Sequence, residues 1–157
     1  MALMQITGVT RRKPGKGKQF RVLGDLISLK MSGEENGDAV SIFEIAVPPQ
    51  GGPPKHSHLR EDEAYYVVDG RFVFEAGDQM TEADTGAFIH FPRGVHHGYR
   101  NVGNHPGKLL AVFWPAGIEH YFEELDRLAK EDNLEFDRIH EISKYHSIVT
   151  PSSDFNG

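Results

Sequence analysis

Between Phe20 and Trp114 the chain repeats one kind of patterning. A short run rich in valine, isoleucine, phenylalanine and tyrosine is followed by a cluster of glycine, proline, aspartate or asparagine. Runs of this kind bounded by turn chemistry read as β-strands. The pattern predicts strands over residues 26–30, 39–47, 63–68, 71–76, 87–91, 97–102 and 108–114, after a strand-like Gln19-Phe20-Arg21-Val22-Leu23. Asp69-Gly70 and Gly77-Asp78 bracket residues 71–76, and both dipeptides favour tight turns, so a three-stranded meander is expected there. Strands this short, recurring at this rhythm, form an antiparallel sandwich or barrel.

After Pro115 the period changes. Ile118, Phe122, Leu125 and Ala129 recur at three- and four-residue spacing with Glu123, Glu124, Asp126 and Arg127 between them, the signature of an amphipathic helix. A second helix is expected over 136–145 with Ile139 and Ile142 inward. The two helices are expected to pack outside the barrel or to cover one mouth, with Phe122 in the core. No internal repeat is visible. The chain therefore divides into N-terminal strands and loop (1–35), a barrel core (36–115) and a helical extension (116–157), all within one domain, as 157 residues suit a single core.

Composition narrows the chemistry. The formal net charge is -6, so no field gathers phosphate backbones and nucleic acid is not an expected partner. The one basic run, Arg11-Arg12-Lys13-Pro14-Gly15-Lys16-Gly17-Lys18, is broken by proline and glycine and reads as a solvated loop; its Gly-Lys pairs lack the spacing of a phosphate-binding loop. There is no cysteine, which excludes disulfides and thiolate sites and leaves histidine and carboxylate as metal ligands. Met1 to Thr10 has no basic region leading into a long apolar stretch, and no apolar run is long enough to span a bilayer. A cytoplasmic protein without a membrane partner is the expectation.

Two stretches carry the candidate chemistry. In the first, Pro53-Pro54-Lys55-His56-Ser57-His58-Leu59-Arg60-Glu61-Asp62-Glu63, residues two apart in a strand project from one face, so His56 and His58 can offer two imidazoles to one point. Glu63 opens the next strand and can bring a carboxylate to the same ion. Glu61 and Asp62 read as a solvated turn. In the second, Gly86-Ala87-Phe88-Ile89-His90-Phe91-Pro92-Arg93-Gly94-Val95-His96-His97, the turn at Pro92 and Gly94 returns the chain inward so that His97 can complete the set. Strand alternation sends the neighbours His96 and His97 to opposite faces. Three imidazoles and one carboxylate suit a first-row divalent ion: Fe, Mn, Ni, Co or Cu, with zinc a further candidate. Tyr65, Phe74, Tyr99 and Phe113 lie on barrel strands where an aromatic pocket around the ion can form. His90, His105, His120, His140 and His146 carry no assigned role.

These two stretches resemble the paired motifs of the cupin superfamily. The first family motif runs Gly, five residues, His-x-His, three or four residues, Glu, six residues, Gly; His56, His58, Glu63 and Gly70 match it. Gln50 stands where its first glycine belongs, beside Gly51 and Gly52, which reads as a one-residue shift of the entering loop. The second motif, Gly, five residues, Pro-x-Gly, two residues, His, three residues, Asn, is met by Gly86, Pro92, Gly94, His97 and Asn101. The resemblance places the four metal ligands on His56, His58, Glu63 and His97. It implies an all-β fold, an antiparallel cupin (jelly-roll) β-barrel with two C-terminal α-helices.

Val22-Leu23-Gly24-Asp25, Arg60-Glu61-Asp62-Glu63, Pro115-Ala116-Gly117 and the helical tail are similar to single-domain cupins of the quercetin 2,3-dioxygenase-like kind. That resemblance implies a metal-dependent dioxygenase of a small aromatic enol, with Glu63 as the catalytic proton acceptor, Tyr65, Phe74, Tyr99 and Phe113 against the substrate, dioxygen as co-substrate and a homodimer as the assembly. A metal-dependent lyase or isomerase of a hydroxy-carbonyl compound, and a ligand-binding cupin without catalysis, are the other expectations, since one fold hosts many activities.

Overall fold

The computed structural model describes residues 8–150. The outer ends of the expected N-terminal and C-terminal segments, residues 1–7 and 151–157, lie outside the described residues. The strands are β1 (Gln19–Val22), β2 (Asp25–Met31), β3 (Ser41–Val47), β4 (Ser57–His58), β5 (Asp62–Asp69), β6 (Arg71–Ala76), β7 (Gln79–Asp84), β8 (Phe88–Phe91), β9 (His97–Asn101) and β10 (Gly107–Trp114). The helices α1 (Ile118–Lys130) and α2 (Phe136–Tyr145) follow, then a two-residue strand β11 (Ile148–Val149).

A six-stranded sheet in the order β1-β2-β3-β10-β5-β8 and a three-stranded sheet β7-β6-β9 form the two layers, and β4 pairs with β11. All the pairings are antiparallel. The architecture is a jelly-roll, but its sheets are not closed into the expected barrel. The expected meander holds only in its second half: β6 pairs with β7 across Gly77-Asp78, but β5 already pairs with β10 on one edge and β8 on the other, so no edge is left there for β6. The chain changes layer at Gly70, and β6 pairs with β7 and β9 instead.

The core lies between the layers. β3 and β10 alternate buried and half-buried residues along their whole length, with Phe43, Ile45, Val47, Leu109, Ala111 and Phe113 inward. Each large side chain removed from water in this way contributes about 1.5–3 kcal/mol. Strand β3 starts two residues later than its apolar run because the Asn36 side chain accepts from the amides of Ala39 and Val40 and holds them in a turn. The edge strand β7 has a single buried residue, Ala83, and so shows no apolar alternation in its sequence.

Both helices fall where the spacing predicts them and close one end of the sandwich. Phe122 of α1 packs edge-on against Phe43, ring centroids 5.2 Å apart. Asp126 accepts from the amide of Arg21 at 2.9 Å, tying α1 to the edge strand β1. At the start of α1, Glu119 is buried and accepts from Ser41 Oγ and from the amides of Gly33 and Gly117. Burial favours its neutral form, but these donors outweigh it and hold the carboxyl below its ordinary range. Tyr121 Oη and Ser143 Oγ, 2.9 Å apart, join α1 to α2, with Ile139 and Ile142 half-buried below. Among the described residues no helix is long and apolar enough to cross a membrane.

Candidate metal centre

His56, His58, Glu63 and His97 converge, each offering one donor atom, with all four atoms within 4.8 Å of one another. Bonds of about 2.0–2.2 Å from one ion would span such a set. His58 is in β4, Glu63 in β5 and His97 at the head of β9. His56 is drawn in by a reciprocal pair of backbone hydrogen bonds with His97, 2.9 and 2.8 Å. The turn expected at Pro92–Gly94 is present: Gly94 donates to His58 O at 2.7 Å, locking the second stretch onto the first.

Local chemistry orients each imidazole. His56 Nδ1 lies 2.8 Å from Pro54 O and His97 Nδ1 lies 2.8 Å from Val95 O. A carbonyl only accepts, so in both rings Nδ1 carries the proton and Nε2 keeps its lone pair for an ion. The His97 ring also stacks on Phe91 at 4.3 Å. Burial, with His58 and His97 nearby, pushes the His56 pKa down to about 3, so that ring stays neutral as a ligand must. Glu63 is 1% exposed. Burial alone would raise its pKa, but the surrounding imidazoles outweigh it and bring it down to about 2. His97 moves upward: burial works against its charged form, and the adjoining Glu63 carboxylate more than compensates.

The residues fit a metal on an observation independent of the motif. Both oxygens of Glu63 and Nε2 of His97 are fully buried and make no regular hydrogen bond; they lie against one another and His58 Nε2, the other metal-directed donors. Buried polar atoms are almost always paired, and a set of orphaned donors aimed at one point is what a cation resolves.

Glu61 was expected in a solvated turn; it is 3% exposed instead. It precedes Glu63 by two residues in extended chain and so shares its inward face. Its Oε2 lies 3.5 Å from His58 Nδ1. Asp62 has the opposite parity and points outward, paired with Arg93 Nε at 2.7 Å. His96 is exposed, as alternation requires. Gln50, where the motif's first glycine belongs, takes the left-handed conformation itself, φ +64°, and its amide donates to Asn101 O at 2.9 Å. Gly52 is needed for contact, because a Cβ there would lie 1.9 Å from Tyr99 O. Asn101 is fully buried and bonds Val47 O, His105 O and the amide of Gly103, which gives this motif residue a structural task.

A cavity of about 640 Å³ reaches the centre through His56 and His58. Of the four expected substrate contacts, Tyr65, Tyr99 and Phe113 line it. Phe74 lies outside its lining and packs behind, its ring 5.6 Å from Tyr65 and 5.8 Å from Tyr99. The helices supply wall that strand patterning did not predict: Tyr121, Phe122 and Leu125 from α1, Phe136, Ile139 and His140 from α2. Asp25, at the start of β2, is a further lining residue the sequence did not single out.

Residues 43–113 match the family model described as Cupin domain. Among curated proteins, an uncharacterized protein of Methanocaldococcus jannaschii is 31% identical over 75 residues, 48% of this chain and 60% of the relative. A probable germin-like protein of Arabidopsis thaliana is 33% identical over 79 residues, 47% of this chain and 37% of the relative. The chain thus spans less than two thirds of the length of each. Among solved structures, a predicted oxalate decarboxylase from Thermotoga maritima aligns at 25% identity with a TM-score of 0.55, over 58% of this chain and 80% of that one. The polyketide cyclase RemF from Streptomyces resistomycificus aligns at 22% identity with a TM-score of 0.61, over 68% and 80%. Together with the donor cluster, these matches support the cupin superfamily.

Proposed function

We propose that this cupin-like chain is a metal-dependent dioxygenase of a small aromatic enol such as a flavonol. The observation that carries the reading is the union of a His56-His58-Glu63-His97 donor set with a largely apolar cavity walled by Tyr65, Tyr99, Phe113, Tyr121 and Phe122. Its volume, about 640 Å³, lies in the range of small-molecule sites. A first-row divalent ion bound here would polarise a coordinating hydroxyl and supply redox chemistry with dioxygen.

The protein's own residues do the rest. The aromatic walls orient a flat substrate and exclude water, which strengthens every electrostatic interaction inside. Glu63, held ionised, accepts the enol proton on a carboxylate oxygen. Tyr65 and Tyr99 keep their hydroxyls protonated, since burial raises both far above the ordinary tyrosine range, with the Glu63 and Asp25 carboxyls adding to it. Tyr99 donates its proton to Asp25 Oδ2 at 2.8 Å, which leaves its oxygen to accept from the substrate. The overall change consumes one flavonol and one dioxygen and yields a ring-opened ester and carbon monoxide, so every atom is accounted for.

A second reading, a metal-dependent lyase or isomerase of a hydroxy-carbonyl compound, is favoured by one feature: Asp25 puts a buried carboxyl in the cavity wall, a group besides Glu63 that can carry a proton. The two separate cleanly. Metal-loaded protein is incubated with quercetin under air and under argon while flavonol absorbance, oxygen uptake and carbon monoxide release are followed. The dioxygenase reading expects loss of flavonol only under air, with carbon monoxide. Turnover of a hydroxy-carbonyl compound under argon, or no reaction above that of the free metal, overturns it.

A further inference from the structure

Among the described residues, six buried side-chain polar atoms have no hydrogen-bond partner: His58 Nδ1, Glu61 Oε2, both oxygens of Glu63, His97 Nε2 and Asp25 Oδ1. Five of them belong to the metal centre and the carboxyl behind it. Asp25 Oδ1 does not, and a buried acceptor left without a donor costs about 1–3 kcal/mol unless something outside the protein pairs with it.

The local chain holds Asp25 where it is at some cost. Val22 pairs with Asp25 across the two-residue turn Leu23-Gly24, whose residues both adopt left-handed conformations, φ +50° and +94°. Such turns match the twist of a hairpin, and glycine adopts them freely, but Leu23 is strained there. The result is a carboxyl 4% exposed, in the cavity wall, reaching across the sandwich to β9, where Tyr99 Oη donates to Oδ2 at 2.8 Å. No lysine, arginine or histidine pairs with it among the described residues. Asp25, Tyr99, Tyr65, His56 and His58 line one and the same cavity.

We propose that Asp25 is a substrate-binding residue whose Oδ1 accepts a hydrogen bond from a hydroxyl that the bound molecule carries in addition to its metal-chelating enol. The inference rests on the reading of the cavity as a site for aromatic enols and narrows the substrate class: a polyhydroxylated compound, with one hydroxyl beside the carbonyl for the ion and another for Asp25. Burial raises the Asp25 pKa to about 6, with the Tyr99 hydrogen bond working against the rise. Near neutrality the group is therefore a carboxylate with one satisfied oxygen and one in want of a donor. The titratable groups facing it, Tyr99 from β9 and Tyr65 from β5, stay protonated; Tyr99 already donates to the other oxygen.

The test compares two pairs of chelators on zinc-loaded protein under argon, where no oxidation occurs and binding alone is read by absorbance titration. 3-Hydroxyflavone and maltol present the enol-carbonyl group alone; quercetin and kojic acid carry further hydroxyls. Asp25→Asn, which keeps an acceptor for Tyr99, is expected to weaken quercetin and kojic acid about 10-fold while leaving their plain partners within about twofold. Asp25→Leu, close in size and apolar, gives the same discrimination should the asparagine variant fail to fold, and zinc content and circular dichroism verify both. Equal losses across each pair, or no loss, overturn the role of Asp25. Failure of all four compounds to bind wild-type protein overturns it together with the aromatic-enol reading. Selective loss in a protein that never consumes oxygen supports Asp25 and removes only the dioxygenase reaction.

Discussion

Glu61 Oε2 and His58 Nδ1 stand 3.5 Å apart with both side chains 4% exposed, a carboxylate placed behind a metal-directed imidazole. His56 and His97 set their ring protons on main-chain carbonyls; His58 has this carboxylate instead. The separation is long for a hydrogen bond and neither atom has another partner, so Glu61 is the group placed to hold the His58 proton on Nδ1, leaving Nε2 for the ion, once the pair closes. Glu61→Ala is expected to lower metal affinity about 10–100-fold, read by competition with a chelator of known affinity, while Glu61→Gln recovers part of the loss through its carbonyl oxygen. Affinity unchanged in both variants would show that the pair does not orient His58.

Removal of a ligand tests the centre itself. Purified protein is expected to carry close to one first-row divalent ion per chain, and His56→Ala and His97→Ala to lose most of it by elemental analysis. Stripping the ion with a chelator should lower Tm, since a ligand at 100 times its Kd stabilises the fold by about 2.7 kcal/mol. Full metal content in both variants would disprove the assignment.

Glu63→Gln separates binding from chemistry. The amide keeps an oxygen for weak coordination but accepts no proton at neutral pH. Turnover per bound metal is expected to fall about 10²–10⁴-fold, with a smaller loss of metal. Parallel loss of both would leave Glu63 as a ligand alone.

Asp25 makes stability depend on pH in a definite direction. Burial raises its pKa from an ordinary 3.8 to about 6, so between those limits the folded chain holds the proton more tightly. Its contribution is complete below pH 3.8 and is lost as pH rises through about 6. The shift corresponds to roughly 3 kcal/mol at one pKa unit per 1.36 kcal/mol. Urea unfolding of wild type and Asp25→Asn at pH 4 and pH 7 should show the variant gaining relative stability at the higher pH. A constant difference between the two would mean that Asp25 titrates as it does in the unfolded chain.

Both helices and most strands were legible in the sequence through short-range periodicity, β7 and β11 being the exceptions, and the four donors were legible through that spacing together with the resemblance to the paired cupin motifs. Residues two apart share a strand face, so His56 and His58 had to point together, and His97 had to turn inward if His96 turned out. The amphipathic spacing of Ile118, Phe122 and Leu125 announced α1 for the same local reason. Glu61 obeys the same parity, so a signal for its burial was present, but three adjacent acidic residues look solvated when read as composition.

What the sequence by itself determined, then, is which residues lie on which face of each local element. Only the tertiary structure decided which faces meet. That β5 spends both its edges on β10 and β8, turning the first half of an expected meander into a change of layer, depends on pairing between segments distant in the chain. That Phe74 packs behind Tyr65 while Tyr121 and Phe136 line the cavity depends on how two helices dock across the sandwich end. And the Asp25 carboxyl finds its one hydrogen-bond donor in Tyr99, 74 residues further along, only where the two layers meet. Periodicity is a property of neighbours in sequence, whereas a cavity is enclosed by residues whose proximity is set by chain topology and packing.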